Sequence, residues 1–136
     1  MTDTVIEKSI YLKATPAQVW AYLTDPAKLA IWFHKPAAPL AQGDYEMFGT
    51  ESGERLMWGT VLVIEPHKRL EYSFTIAPMG DATSTVKWAL TEVAGGTQLS
   101  LRHEGLPQGA DAFGLTLALD DGWDKHLARM RTSIQG

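Results

Sequence analysis

The chain has 136 residues, enough for one domain with a sizeable core. Hydrophobic residues make up 45% and charged residues 21%, an ordinary globular balance that argues against disorder. Twelve Lys and Arg against sixteen Asp and Glu give a net charge of −4, and no basic run offsets phosphates, so nucleic acid is not an expected partner.

Cysteine is absent, which removes disulfides, thiolate nucleophiles and cysteine-ligated zinc. No apolar stretch approaches the roughly 20 residues of a membrane span. The start, Met1-Thr2-Asp3-Thr4, carries no basic and apolar leader pattern, so the expected location is the cytoplasm.

In chain order, Val5 to Lys13 reads as a strand. Two helix starts then follow in quick succession. Thr15 is a good N-cap, Pro16 suits the first helical position, and Gln18 can close a capping box back to Thr15. Asp25-Pro26 repeats the cap-then-proline pattern. Trp20 and Trp32 fall on these helices and are expected to fix them against a sheet. Gly43-Asp44 and Glu65-Pro66-His67-Lys68 read as turns. Between them, Arg55 to Glu65 is apolar on both parities, the pattern of a strand with neither face fully wet.

Leu70, Tyr72, Phe74 and Ile76 alternate with Arg69, Glu71, Ser73 and Thr75, a strand with one wet face. Thr83 to Val93 is β-rich and leads into Gly95-Gly96, a hairpin signal. Leu99, Leu101 and His103 alternate with polar residues in the same way. After Gly105-Leu106-Pro107 the period becomes helical. Leu119, Trp123, Leu127, Met130 and Ile134 form a stripe, with His126 beside Trp123. Asp120, Asp121 and Asp124 precede Lys125, Arg129 and Arg131, the order a helix dipole favours. Asp111 is expected to cap this helix or its approach.

The order predicts an α+β fold of one domain over residues 1–136. Its core is a curved antiparallel sheet of about six or seven strands, with two short helices after the first strand and one long C-terminal helix over the concave face. A single helix cannot fill such a concavity. Large side chains, water or a ligand must occupy the rest, and five tryptophans are available.

These residues carry a family resemblance. Thr15-Pro16-Ala17-Gln18-Val19-Trp20 with Leu23-Thr24-Asp25-Pro26, Leu29 and Trp32 resembles the opening of the helix-grip superfamily, the START and Bet v 1-like (SRPBCC) domains. Within it the chain is most similar to the family named after the C-terminal domain of the Hsp90 ATPase activator. Gly59-Thr60-Val61 through Glu65-Pro66 to Arg69-Leu70-Glu71-Tyr72 resembles that family's central hairpin. Ser84-Thr85-Val86, Gly95-Gly96-Thr97-Gln98-Leu99 and His103-Glu104-Gly105-Leu106 resemble its next hairpin, and Gly122-Trp123 with Leu127 its terminal helix. The resemblance implies an apolar cavity under the long helix. It implies no single activity, because relatives bind, carry or modify very different molecules.

The residues expected to line that cavity are Trp58, Phe74, Trp88, His103, Trp123, His126, Leu127 and Met130, with Met47 and Met57 also inward. The plainer reading of the aromatic ones is ordinary core packing. His103 and His126 fall on inward positions and can offer hydrogen bonds to a ligand, or be bonded to a backbone carbonyl or carboxylate instead. His34 and His67, near a helix end and a turn, are expected to face solvent. Glu46, Glu51 and Glu54 read as solvated. Nucleophile elbow, phosphate loop, dinucleotide fingerprint and metal-ligand spacing are all missing, so no catalytic residue, cofactor or metal is expected.

Binding of a small apolar or aromatic molecule is therefore the expected function. A co-chaperone-like interaction module and a cyclase or hydrolase using His103 or His126 as acid–base group are the alternatives.

Overall fold

The computed structural model describes residues 4–135. Strand β1 (Ile6–Leu12) leads into helices α1 (Pro16–Thr24) and α2 (Pro26–Trp32). Six strands come next: β2 (Lys35–Pro36), β3 (Gly43–Phe48), β4 (Arg55–Glu65), β5 (Arg69–Ile76), β6 (Ser84–Val93) and β7 (Gly96–Glu104). Helix α3 (Phe113–Gln135) closes the chain. The strands form one seven-stranded sheet in the order β1-β7-β6-β5-β4-β3-β2, with every neighbouring pair antiparallel. This is the expected helix-grip fold.

Local chemistry explains the helix starts. Thr15 Oγ1 accepts from the Gln18 backbone N–H at 3.2 Å, while Gln18 Oε1 accepts from the Thr15 N–H at 2.9 Å. That reciprocal box satisfies two otherwise orphaned donors. Asp25 ends α1 and caps α2 through the Ala27 N–H at 3.0 Å. The two short helices thus follow each other directly, and Trp32 at the end of α2 is buried with its Nε1 donating to the Tyr22 carbonyl at 2.7 Å.

Three local expectations change. Gly43 opens β3 with φ +112 instead of making a separate turn, a conformation that favours glycine. Helix α3 begins at Phe113, so Asp120, Asp121 and Asp124 lie mid-helix and no acidic residue occupies its first turn. Their role is different from dipole matching: Asp120 and Asp124 grip Lys8 of β1 at 2.7 and 3.0 Å, while Asp121 pairs with Lys125 one turn on. Asp111 sits in the 3-10 turn Ala110–Ala112 and makes no capping bond among the described residues.

Alternation also breaks in β5. Thr75, expected on the wet face, is buried with its hydroxyl donating to the Ala82 carbonyl at 3.1 Å. A crowded crossing joins β3, β4 and β5. Tyr45 of β3 reaches over Gly59 of β4 and donates its hydroxyl to the Ser73 carbonyl of β5 at 2.6 Å. A β-carbon on Gly59 would lie 2.2 Å from that same carbonyl oxygen.

Backbone atoms cannot yield as a flexible side chain can, so Gly59→Ala is expected to destabilise more than Thr15→Ala, which loses only its cap at a cost of about 1 kcal/mol. Urea titration of both variants checks the order. Equal costs would mean the strands separate freely at Gly59.

Candidate functional site

Helix α3 is seated on the sheet by its second half. Its buried residues are Trp123, Leu127 and Met130, all on one stripe. Trp123 is the centre of an aromatic cluster drawn from four elements and from Phe33 just after α2. Its ring stacks on Phe33 with centroids 5.3 Å apart and meets Trp88 edge-on at 5.5 Å. His103, Phe74 and His126 complete its surroundings at 5.9, 6.2 and 6.1 Å.

One hydrogen-bond chain runs through this cluster. Trp123 Nε1 donates to His103 Nδ1 at 3.0 Å. An indole nitrogen only donates, so Nδ1 accepts and the proton of the neutral imidazole sits on Nε2. That Nε2–H donates to Ser84 Oγ at 2.7 Å, and Ser84 in turn donates to the Phe74 carbonyl at 3.1 Å. The chain ties α3 to β7, β6 and β5. His103 is fully buried, and burial pushes its pKa down to about 4.

The first half of α3 rests on no such contact. No residue of α3 before Trp123 is buried. Under it lies a cavity of about 460 Å³, walled by Leu115, Leu119 and Trp123 of α3, Phe74 and Ile76 of β5, and Phe33 beyond α2, with His34 and His126 at the same wall. No carboxylate lines it.

The two histidines are its polar groups. His34 stacks on Phe33 at 4.4 Å and meets His126 edge-on at 5.5 Å. Burial, then repulsion from His126 and Arg129, pushes its pKa down to about 4, with the Phe33 carbonyl partly offsetting. His126 Nδ1 is 2.8 Å from the Trp32 carbonyl oxygen, and an Arg129 guanidinium nitrogen is 2.9 Å from the same ring nitrogen. Burial is the main cause of its lowered pKa too. Both rings are uncharged at neutral pH, and no third metal-ligating side chain joins them among the described residues.

The residues expected to line one cavity thus divide. Phe74, Trp123 and His126 do line it. Trp88, His103, Leu127 and Met130 lie outside its lining, buried in the core, and both nitrogens of His103 are already bonded. Trp58 is elsewhere. Strand alternation turns buried Met57 inward and Trp58 to the opposite face, where the Arg55 guanidinium covers its ring at 4.2 Å. There Trp58 lines an open groove of about 780 Å³ with Phe48, Glu46 and the Pro36–Gln42 segment. That groove is larger, but Arg55 occupies its aromatic platform and pairs with Glu46 at 3.0 Å.

His34 corrects the solvent-facing expectation, because it is half-buried at the cavity wall. The backbone turns at Phe33, at φ −136 and ψ −123, and this swings the pair Phe33-His34 under α3. The aromatic run Trp32-Phe33-His34 after a helix end was the signal available in the sequence. His67, in contrast, is exposed in its turn as expected.

Residues 13–135 match the family model described as Activator of Hsp90 ATPase homolog 1-like protein. No curated protein matches the chain. Among solved structures, DynU16, a protein of the dynemicin biosynthetic locus, superposes with a TM-score of 0.84 at 23% identity, over 98% of this chain and 48% of its own. The chain therefore spans about half the length of that relative. Protein MLL2253 from Mesorhizobium loti gives 0.82 at 23% identity, covering 95% of each chain. The Aha1 dimer from Colwellia psychrerythraea gives 0.78 at 17% identity, covering 96% of each. At these identities the likeness is one of fold.

His103 makes stability depend on pH. An unfolded histidine titrates near 6.5 and this one near 4, so on acidification the unfolded chain takes up a proton first. The stabilisation is whole above about 6.5 and is lost as pH falls towards about 4, amounting to roughly 3 kcal/mol. His34 and His126 act in the same direction. Denaturant unfolding at pH 7 and pH 4.5 is expected to show lower stability at the acid end, and a smaller difference in His103→Gln. Stability that stays level across this window would contradict a neutral buried imidazole.

Proposed function

This chain belongs to the Activator of Hsp90 ATPase homolog 1-like family, and on that footing we propose that it binds a small apolar or aromatic molecule between the sheet and the first half of α3, without chemical turnover. One observation carries this reading. A helix of 23 residues buries side chains only from Trp123 onward, and the space under its first half is left open with apolar walls. Leaving Leu115, Leu119, Ile76 and Pro78 around an open space forfeits dispersion and burial that a tightly packed core would gain. A ligand that fills the space restores them. The volume, about 460 Å³, falls within the range of small-molecule sites.

Turnover has less support. His103 can reach a substrate only by giving up Trp123 or Ser84, and no carboxylate lines the cavity to share acid–base work with His126. The interaction-module reading draws on the family's description and on Phe113 and Leu117, two exposed apolar residues one turn apart near the start of α3. Two such residues make a small patch.

Native mass spectrometry after incubation with lipids, sterols and aromatic metabolites tests the proposal. A one-to-one adduct with an apolar or aromatic class is expected. Leu119→Trp, which fills the cavity from α3 without touching the Trp123–His103 bond, should abolish it. Absence of an adduct from every class would sink the binding reading and leave stimulation of Hsp90 ATP hydrolysis as the activity to assay.

A further inference from the structure

Two contacts compete for His126 Nδ1, and only one can be a hydrogen bond in the neutral ring. The Trp32 carbonyl accepts and a guanidinium donates, so the nitrogen must either carry a proton for the first or a lone pair for the second. The costs are unequal. Arg129 is exposed and keeps its hydrogen bonds by turning to water, whereas the carbonyl belongs to buried Trp32 at the close of α2. Nδ1–H therefore donates to Trp32.

The remaining nitrogen, Nε2, then holds an open lone pair. It has no hydrogen-bond partner among the described residues, and no buried side-chain nitrogen or oxygen there lacks one, so Nε2 is accessible. The ring that bears it lines the apolar cavity. Next to it is His34, also uncharged, with its ring edge-on to His126 at 5.5 Å. A neutral imidazole of either tautomer offers one donor and one acceptor.

From this arrangement we infer that the cavity selects an aromatic ligand bearing a ring hydroxyl, which donates to His126 Nε2. The inference rests on the binding reading above and adds to it the polar chemistry of the ligand. A carbonyl or carboxylate in the same place sets lone pair against lone pair. A carboxylate also loses its hydration without meeting a charge, since both rings are neutral. An aromatic ligand suits these walls, to which Phe33, Phe74 and Trp123 contribute rings beside the aliphatic Ile76, Leu115 and Leu119.

Titration calorimetry with 2-naphthol and its methyl ether, 2-methoxynaphthalene, separates the parts of this inference. The pair share a ring system and differ in the donor. The protein is expected to bind 2-naphthol about tenfold or more tightly, the difference one hydrogen bond to a desolvated acceptor makes. His126→Phe should remove that preference by weakening 2-naphthol alone. Equal affinities, or a preference that survives His126→Phe, overturn the hydroxyl anchor and leave the cavity reading standing. Failure of both compounds to bind overturns the two together. Should His126→Phe not fold, nitrogen-15 NMR of the unmutated protein decides. Protonated Nδ1 with an Nε2 resonance that moves on adding 2-naphthol, and stays with the ether, is expected. An Nε2–H tautomer overturns the anchor.

Discussion

The indole N–H of Trp123 bonded to His103 Nδ1 is the contact on which the remaining architecture depends. Buried among five aromatic and imidazole rings, it links the long helix to the centre of the sheet through a polar bond. It also sets the proton of His103 on Nε2, which lets Ser84 and the Phe74 carbonyl continue the chain across β6 and β5. Every member is buried and partnered, so the network adds rigidity without the penalty of an orphaned polar group. Because it lies at the middle of α3, it divides that helix. The half after Trp123 is clamped by Leu127 and Met130, and the Lys8 ion pairs to Asp120 and Asp124 hold the middle of the helix to β1. The half before Trp123 is left to bridge a space.

That division explains why the cavity and the core coexist in so short a chain. Aromatic rings from β5, β6, β7 and α3 and from Phe33 after α2 converge on Trp123 and fill the centre of the concave face. The ends of the concavity are closed differently. One is taken by Met47, Met57 and the crossing of Tyr45 over Gly59. The other is left beneath Leu115 and Leu119, with two neutral imidazoles at its wall. The same burial that pushes these histidines towards the uncharged form keeps the site compatible with an apolar ligand at neutral pH.

Much of the fold was legible in the sequence because its signals are local. The capping box at Thr15 and Gln18 and the cap of Asp25 act over two or three residues, and both form as read. The alternation of Leu99, Leu101 and His103, and the stripe of Trp123, Leu127 and Met130, put the right side chains inside. Reading failed where the pattern was degenerate or the cause was distant. Arg55 to Glu65 is apolar on both parities, so nothing local said that Met57 faces in and Trp58 out. His34 comes just after a helix end, an ordinary place for a solvated residue, and only the turn at Phe33 carries it under α3.

The sequence by itself determined the order of elements, the inward faces of β7 and α3 and the neighbourhood of Trp123 and His126 on one stripe. Those depend on backbone periodicity and on caps, which neighbouring residues settle among themselves. Only the tertiary structure decided which inward residues meet a cavity and which are sealed in the core. It also decided which nitrogen of each histidine is occupied. Both are properties of contacts between elements far apart in the chain, such as Trp32 with His126 and Trp123 with His103, and no periodicity along the chain encodes the distance between them.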